Sequence, residues 1–272
     1  MIHCPPGSGE PIGTPAAADA MPRPGLASLS AFFPVHDEEA DVVPMAEALL
    51  RVLPEVAERW ELIIVDDGSR DRTGQLADEL SRTRPEVRVV HHPVNRGYGA
   101  AIRSGIAAAR HDYVFLTDGD RQFEPTQIGR LISEVGRADV IVGYRHRRAD
   151  NALRRVYGVL WNALVRRLFR LPVRDVNCAF KLIRRHVLAG IELRAEGAVV
   201  STELVIRVLR QGRRIVEVPV DHFPRLHGQP SGGRIGVILR AWVELVRLRR
   251  QTRRMARKSP ASPVAVGTMS AP

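Results

Sequence analysis

Apolar and polar positions in this chain follow two periods by turns. Short apolar runs rich in β-branched and aromatic residues stop at polar clusters, and between them apolar residues recur every third or fourth position. Residues 28–35 (SLSAFFPV), 60–65 (WELIIV), 87–91, 113–117 and 139–143 (DVIVG) therefore predict strands. The intervening stretches predict helices: one carrying Val42, Ala46, Leu49 and Leu53 with Asp37 as its N-cap, one from Asp71 to about Thr83, one over 100–109, and one from Pro125 to Val135. Such alternation implies an α/β domain with a Rossmann-like, mostly parallel sheet and helices on both faces.

The alternation breaks after Tyr144. Residues 150–170 predict a long helix with a broad apolar face, 175–183 a loop and short strand, 202–211 a helix stopped by Gly212, and 214–220 a strand. A Gly- and Pro-punctuated loop spans 222–233 and a basic amphipathic helix spans 234–250. Fraying is expected from Gln251, and disorder is expected over 1–27 and from Ser259. The implied domains are 1–27, a catalytic-sized unit over 28–233, the helix 234–250 and the tail 251–272.

Composition narrows the class. The 272 residues are 44% hydrophobic, enough for a core, and carry a net charge of +11. Seven of those positive charges lie between Arg247 and Lys258, so the basicity belongs to the C-terminal segment and suggests an anionic partner surface. Nucleic acid is not expected, because the basic run lacks interleaved aromatics. Cys4 and Cys178 offer neither metal spacing nor a disulfide framework, and no apolar run is long enough to span a bilayer. The Pro/Gly/Ala-rich start does not read as a signal peptide. These features make the cytoplasm the default compartment and any membrane contact peripheral.

The candidate chemistry lies where strands run out. Four predicted strand ends carry polar clusters, at Pro34-Val35-His36-Asp37-Glu38, Asp66-Asp67, Asp118-Gly119-Asp120 and Gly143-Tyr144-Arg145. Ligands of open parallel sheets bind beyond such ends. If the chain stays extended past residue 117, Asp118, Asp120 and Gln122 project to one side and suit a hard divalent cation bridging to phosphate. Asn95 and Gly97 sit in a glycine-bearing turn that allows close backbone approach to a ligand.

The ordered set FPVHDEE, VDDGSRDRT, NRGYGAAIRSGI, LTDGDRQFEP, GYR, DVNCAFKLIR, STELVIRVLRQG and HFPRLHGQPSGG resembles the family 2 glycosyltransferases, within them the dolichyl-phosphate (polyprenyl-phosphate) mannosyl- and glucosyltransferase-like branch. The resemblance implies a GT-A fold and inverting, metal-dependent transfer of a hexose, mannose or glucose, from a GDP- or UDP-sugar to a polyprenyl phosphate. It adds the expectation of association with the inner face of the cell membrane and leaves room for a separate membrane-protein partner. It implies that Pro34, His36 and Glu38 border the base and ribose, and that Asp67, together with Asp66, contacts the base or the uracil/guanine-ribose portion. It puts Asp118 near the ribose and diphosphate, Asp120 and Gln122 on Mg²⁺ or Mn²⁺, and Arg145 toward the diphosphate or acceptor phosphate. His36-Asp37 stands where family members often carry an aromatic-asparagine pair, and Arg121 adds a charge beside the metal site.

An acceptor phosphate is already an anion at neutral pH and needs no general base, but it must be brought against an anionic donor. Arginines do this best, so Arg145, Arg154 and Arg225 are the candidates, with Lys181 and Ser231 beside them and His227 on a closing loop. Two alternatives stand: a hydroxyl acceptor served by Asp175 or Glu203 as base, and a non-catalytic membrane-surface or nucleic-acid binder that uses the basic tail.

Overall fold

The computed structural model describes residues 25–148, 152–227 and 235–258. Ser231 and the segments 1–24 and 259–272, for which disorder was expected, lie outside the described residues. Among the described residues seven strands form one sheet in the order β3-β2-β1-β4-β6-β5-β7. They are β1 (Leu26–Val35), β2 (Ala57–Asp66), β3 (Val87–His91), β4 (Tyr113–Leu116), β5 (Val140–Arg148), β6 (Lys181–Arg184) and β7 (Ile215–His222). Only β6 runs against its neighbours, antiparallel to both β4 and β5. Leu26 and Ala27, assigned to the disordered start by sequence, belong to β1, where Leu26 is buried and pairs with Ala57.

Period-two alternation along the strands sorts side chains into two cores. Leu29, Ala31 and Phe33 of β1, Leu62 and Ile64 of β2 and Phe115 of β4 face one layer with α1 (Val42–Val56), α2 (Thr73–Thr83) and α4 (Ile128–Ile132). Phe32, Ile63, Val65, Val114 and Leu116 face the other, with α3 (Tyr98–Ala108), α5 (Ala152–Phe169), α7 (Val199–Arg210) and α8 (Ile235–Lys258); the short α6 (Arg185–Leu188) closes that side. Both faces of the sheet are therefore covered, as the apolar runs require.

Boundaries moved where partners outside the local sequence decide. Helix α1 begins at Val42, after Asp41 rather than at Asp37; Asp37 has φ 53° and accepts the Arg70 N–H at 2.7 Å. Helix α4 is a short piece after a 3₁₀ turn at Pro125–Gln127 and stops at Ile132, short of Val135. Strand β5 runs on to Arg148 because β7 pairs with it through Tyr144–Pro219 and Arg145–Val220. Helix α8 continues to Lys258 instead of fraying at Gln251, since Leu245, Leu248 and Thr252 repeat on one buried stripe and Arg210 of α7 donates to the Thr252 carbonyl at 2.5 Å.

Helix α3 lies close on the sheet at Gly105, where an added Cβ would sit 2.2 Å from Cδ2 of Phe32. Gly105→Ala is therefore expected to destabilise the chain by about 1–3 kcal/mol from overpacking, offset in part by the better helix propensity of alanine. Denaturant melts of the two proteins check this.

Candidate active site

The six co-directional strands bring their carboxyl ends to one edge of the sheet. Reversed β6 brings its first residue, Lys181, to the same edge, between Leu116 of β4 and Val142 of β5. Acidic residues from β1, β2 and β4 thus meet a lysine delivered from below and an arginine from β5.

Strand β4 ends at Leu116, and the loop that follows does not stay extended: Arg121 has φ 58°. The expectation that Asp118, Asp120 and Gln122 share one side of a strand therefore fails at Gln122. Its backbone N–H donates to Asp120 Oδ1 at 3.2 Å, its Nε2 donates to the Phe223 carbonyl at 3.1 Å, and its carbonyl accepts the Phe223 N–H at 2.9 Å. Gln122 ties the β4 loop to the segment after β7. Asp118 and Asp120 remain as the carboxylate pair, with Asp118 Oδ1 accepting the Tyr98 hydroxyl at 2.9 Å.

The pair is electrostatically compressed. Burial followed by the Asp118 charge pushes the Asp120 carboxyl up to about 7. Burial also raises Asp118, against the Tyr98 hydrogen bond and the opposing pull of Lys181, Arg145 and Arg225. Tyr98 is held well above its ordinary value by burial and by Asp118. Lys181 is 1% exposed, its Nζ donates to the Cys178 carbonyl, and burial lowers its pKa. Cys178, buried and pushed up to about 12, stays a thiol.

Among the described residues no three His, Cys, Asp or Glu side chains are arranged to hold a metal ion. Two carboxylates are nonetheless the donor set of a magnesium-type ion that keeps water and phosphate oxygens as its other ligands. Two carboxyls pressed together until one retains a proton near neutrality fit a site that a divalent cation would complete.

The segment 223–227 lies across this edge and is fastened at alternate residues. Phe223 is held by Gln122, Arg225 pairs with Glu38, and His227 Nδ1 lies 3.0 Å from Asp41 Oδ1. Asp41 is fully buried, and Arg121 NH1 lies 3.9 Å from the same oxygen, which gives that charge a partner. Burial raises Glu38 against the opposing pull of Arg225.

Asp66 and Asp67 shape loops. Asp66 accepts from the Ser69 N–H at 3.0 Å and pairs with His91 at 2.9 Å; burial opposes, but these bonds lower its pKa. Asp67 accepts the N–H groups of Arg96 and Gly97 at 2.9 and 2.8 Å and contacts His92 at 2.6 Å. Its carboxylate therefore holds the glycine turn from inside, and a direct base contact would compete with those bonds. Gly97 has φ 90°, and a Cβ there would meet the Glu196 carbonyl at 2.7 Å. Asn95 is exposed and accepts the Gly97 N–H at 3.1 Å. At the end of β1, Pro34 and His36 are half-buried, and among the described residues His36 Nδ1 has no hydrogen-bond partner; the same holds for Thr117 Oγ1 beside Asp118.

Arg145 departs from its assigned role. Its guanidinium forms a bidentate pair with Asp175 at 2.6 and 2.8 Å, and Asn162 of α5 donates to the same carboxylate at 3.1 Å. An arginine committed this way acts on the site through its field and by bracing Asp175. Glu203, the other base considered, is 1% exposed, accepts the N–H groups of Arg194 and Ala195 at 2.8 Å and pairs with Arg207 at 2.6 Å. It borders a cavity of about 360 Å³ between residues 194–196 and α8 that includes none of the strand-end residues. Arg154 lies on α5, with its side chain outside the described residues. Tyr98 was missed by sequence reasoning; an aromatic between two glycines, Gly97 and Gly99, was the available signal.

A sequence model of glycosyl transferase family 2 matches residues 30–191. Dodecaprenyl-phosphate galacturonate synthase of Rhizobium johnstonii is 33% identical over 209 residues, covering 75% of this chain and 62% of that protein. Undecaprenyl-phosphate 4-deoxy-4-formamido-L-arabinose transferase of Pectobacterium atrosepticum is 31% identical over 206 residues, with the same two coverages. The chain thus spans less than two thirds of the length of these relatives. Among solved structures, glucosyl-3-phosphoglycerate synthase from Mycobacterium tuberculosis, in complex with Mn²⁺, UDP-glucose and phosphoglyceric acid, superposes with a TM-score of 0.63 at 18% identity, over 82% of this chain and 80% of that one. That likeness is one of fold.

Proposed function

The chain belongs to glycosyl transferase family 2 and has the GT-A fold; on that premise we propose that it transfers a sugar from a nucleotide diphosphate donor to a polyprenyl phosphate. The observation that carries the reading is the Asp118–Asp120 pair at the strand ends, opposed by Lys181, Arg145 and Arg225. An acceptor phosphate oxygen attacks the anomeric carbon, and the bond from that carbon to the donor's β-phosphate oxygen breaks. The leaving diphosphate gains negative charge as it departs. Mg²⁺ or Mn²⁺ held by Asp118 and Asp120 would offset that charge when bound.

The chain's own groups do the rest. Tyr98 fixes the Asp118 carboxylate in place, and the pull of Lys181, Arg145 and Arg225 opposes its burial. Arg225 is the cation best placed to leave a carboxylate, Glu38, for an incoming phosphate, because it sits on the strap that covers the edge. His36 Nδ1 and Thr117 Oγ1 are buried donors or acceptors that a base or ribose at the β1 end would satisfy. With strap 223–227 still held at Phe223 by Gln122 and at His227 by Asp41, water is kept from the donor.

The sugar is open to more than mannose or glucose. The relatives' names carry galacturonate and a formamido-arabinose, so uronate and amino-pentose donors belong beside GDP-mannose and UDP-glucose in any panel. A hydroxyl acceptor is disfavoured because Asp175 and Glu203 are both tied up in ion pairs. Acceptor competition tests this: polyprenyl phosphate should take label from a radioactive donor while the corresponding free polyprenol takes none. Equal labelling of the polyprenol would contradict the phosphate reading. The working location is the cytoplasmic face of a membrane, where such an acceptor resides.

A further inference from the structure

We propose that the outward face shared by α5 and α8 is the surface on which this chain seats against an anionic lipid bilayer. The proposal deepens the polyprenyl-phosphate reading and rests on it for its purpose. Helix α8 has two apolar stripes. The inner one, with Leu245 and Leu248, is buried against the core side that holds α7. The outer one is Leu239, Trp242, Val243 and Val246, at spacing i, i+3, i+4 and i+7, and each of these is between 44% and 60% exposed.

Helix α5 adds Val156, Tyr157, Val159 and Leu160, between 43% and 63% exposed. The two sets are joined by Trp161, whose ring packs edge-on to that of Trp242 at 5.8 Å. Scattered exposed apolar residues are ordinary, but a joined patch from two helices is not.

Charge identifies the occupant. Continuing the outer stripe of α8 by one and two turns from Val246 reaches Arg250 and Arg253, both exposed, with exposed Arg249 beside them. The sequence of α5 contains no Asp or Glu, and that of α8 contains one, Glu244. Glu244 is buried and points inward, accepting the N–H groups of Glu196 and Gly197. An apolar patch that passes into arginines without a counter-charge complements hydrocarbon edged by anionic headgroups. The same face on a second copy would meet like charge. No described helix is long and apolar enough to cross the bilayer, so contact through these helices is lateral. Through Asn162 and Asp175, α5 is coupled to Arg145, which sets the face next to the site that would receive a lipid-borne phosphate.

The test is co-flotation of the whole chain with phosphatidylcholine vesicles, with or without phosphatidylglycerol, in the absence of donor and acceptor. The wild type should float with the anionic vesicles and drop about tenfold in bound fraction without phosphatidylglycerol or at high salt. Leu239→Ser combined with Trp242→Ser, and separately Arg249→Glu with Arg250→Glu and Arg253→Glu, should each lose about tenfold in binding. The arginine variant should keep the wild-type melting temperature, the Leu239/Trp242 variant should melt lower only by the loss of the Trp161 ring contact, and both should keep transfer to detergent-dispersed acceptor. Wild type that stays at the bottom of the gradient, or variants that float undiminished, would overturn the proposal. So would light scattering that shows a dimer abolished by the Leu239/Trp242 change. A chain that floats but transfers no sugar supports this face and counts against the reaction instead, which keeps the two failures apart.

Discussion

Asp120→Asn should lower turnover by on the order of 10³-fold and leave the fold intact. Asparagine keeps the shape and the oxygen that accepts the Gln122 N–H, but it removes one of two carboxylates from the pair at the end of β4. The same change has an opposite effect on the metal-free protein. Asp120 carries a proton up to about pH 7 when folded, whereas an unfolded aspartate loses it near 4. The folded state therefore holds the proton more tightly, and the stability this contributes is present below about pH 4 and is lost as the pH rises toward 7. Wild-type melting temperature in EDTA should fall across that window, and Asp120→Asn should flatten the fall. Divalent cation at neutral pH should raise the melting temperature of the wild type and not of the variant. A variant that keeps transfer within tenfold of wild type, or gains the same stabilisation from metal, would remove Asp120 from the account.

The second large effect is structural. Arg145→Ala leaves the Asp175 carboxylate buried with the bond from Asn162 but without its bidentate partner. Breaking a buried pair from one side costs about 3–5 kcal/mol, because the remaining charge is uncompensated. Urea unfolding should show a midpoint shift of that size. Arg145→Lys should recover only part of it, since an ammonium cannot reproduce the two parallel bonds. If Arg145 served only to meet a phosphate, Arg145→Ala would melt like wild type and show its whole effect in acceptor KM.

The contrast between these residues shows where sequence reading reaches its limit. The sheet was legible because two covered faces impose the near-continuous apolar runs in SLSAFFPV, WELIIV and YVFL, and so was the position of the site, because acidic clusters recur where those runs stop. The order of strands was not, since β6 enters between β4 and β5 through pairing that no local pattern encodes. Gln122 lost its place beside the carboxylates because Arg121 turns the chain, and a non-glycine residue gives little warning of a positive φ. Arg145 and Asp175 were read as separate candidates, phosphate binder and base. They are 30 residues apart in the chain and bonded to each other in the fold. Asp67 was assigned to a ligand, and its bonds to the turn at Gly97 were not foreseen. In each case the residue type was informative and its partner was not, because partners are chosen by tertiary packing.

The C-terminal helix makes the same point. Its basic character was plain from composition, but its division into an inner stripe against the core and an outer stripe joined to α5 through Trp161 and Trp242 needed the packed structure. The two stripes allow one helix both to dock on the domain and to present a surface.

The most direct test of the central claim is a single extraction assay. The chain is incubated with radiolabelled nucleotide sugars, uronate and amino-pentose donors included, and polyprenyl phosphate, with and without EDTA, and the organic phase is counted. Label should enter the organic phase with at least one donor, disappear in EDTA and return when Mg²⁺ or Mn²⁺ is restored in excess. No organic-phase label with any donor, or label that persists undiminished in EDTA, would contradict the account.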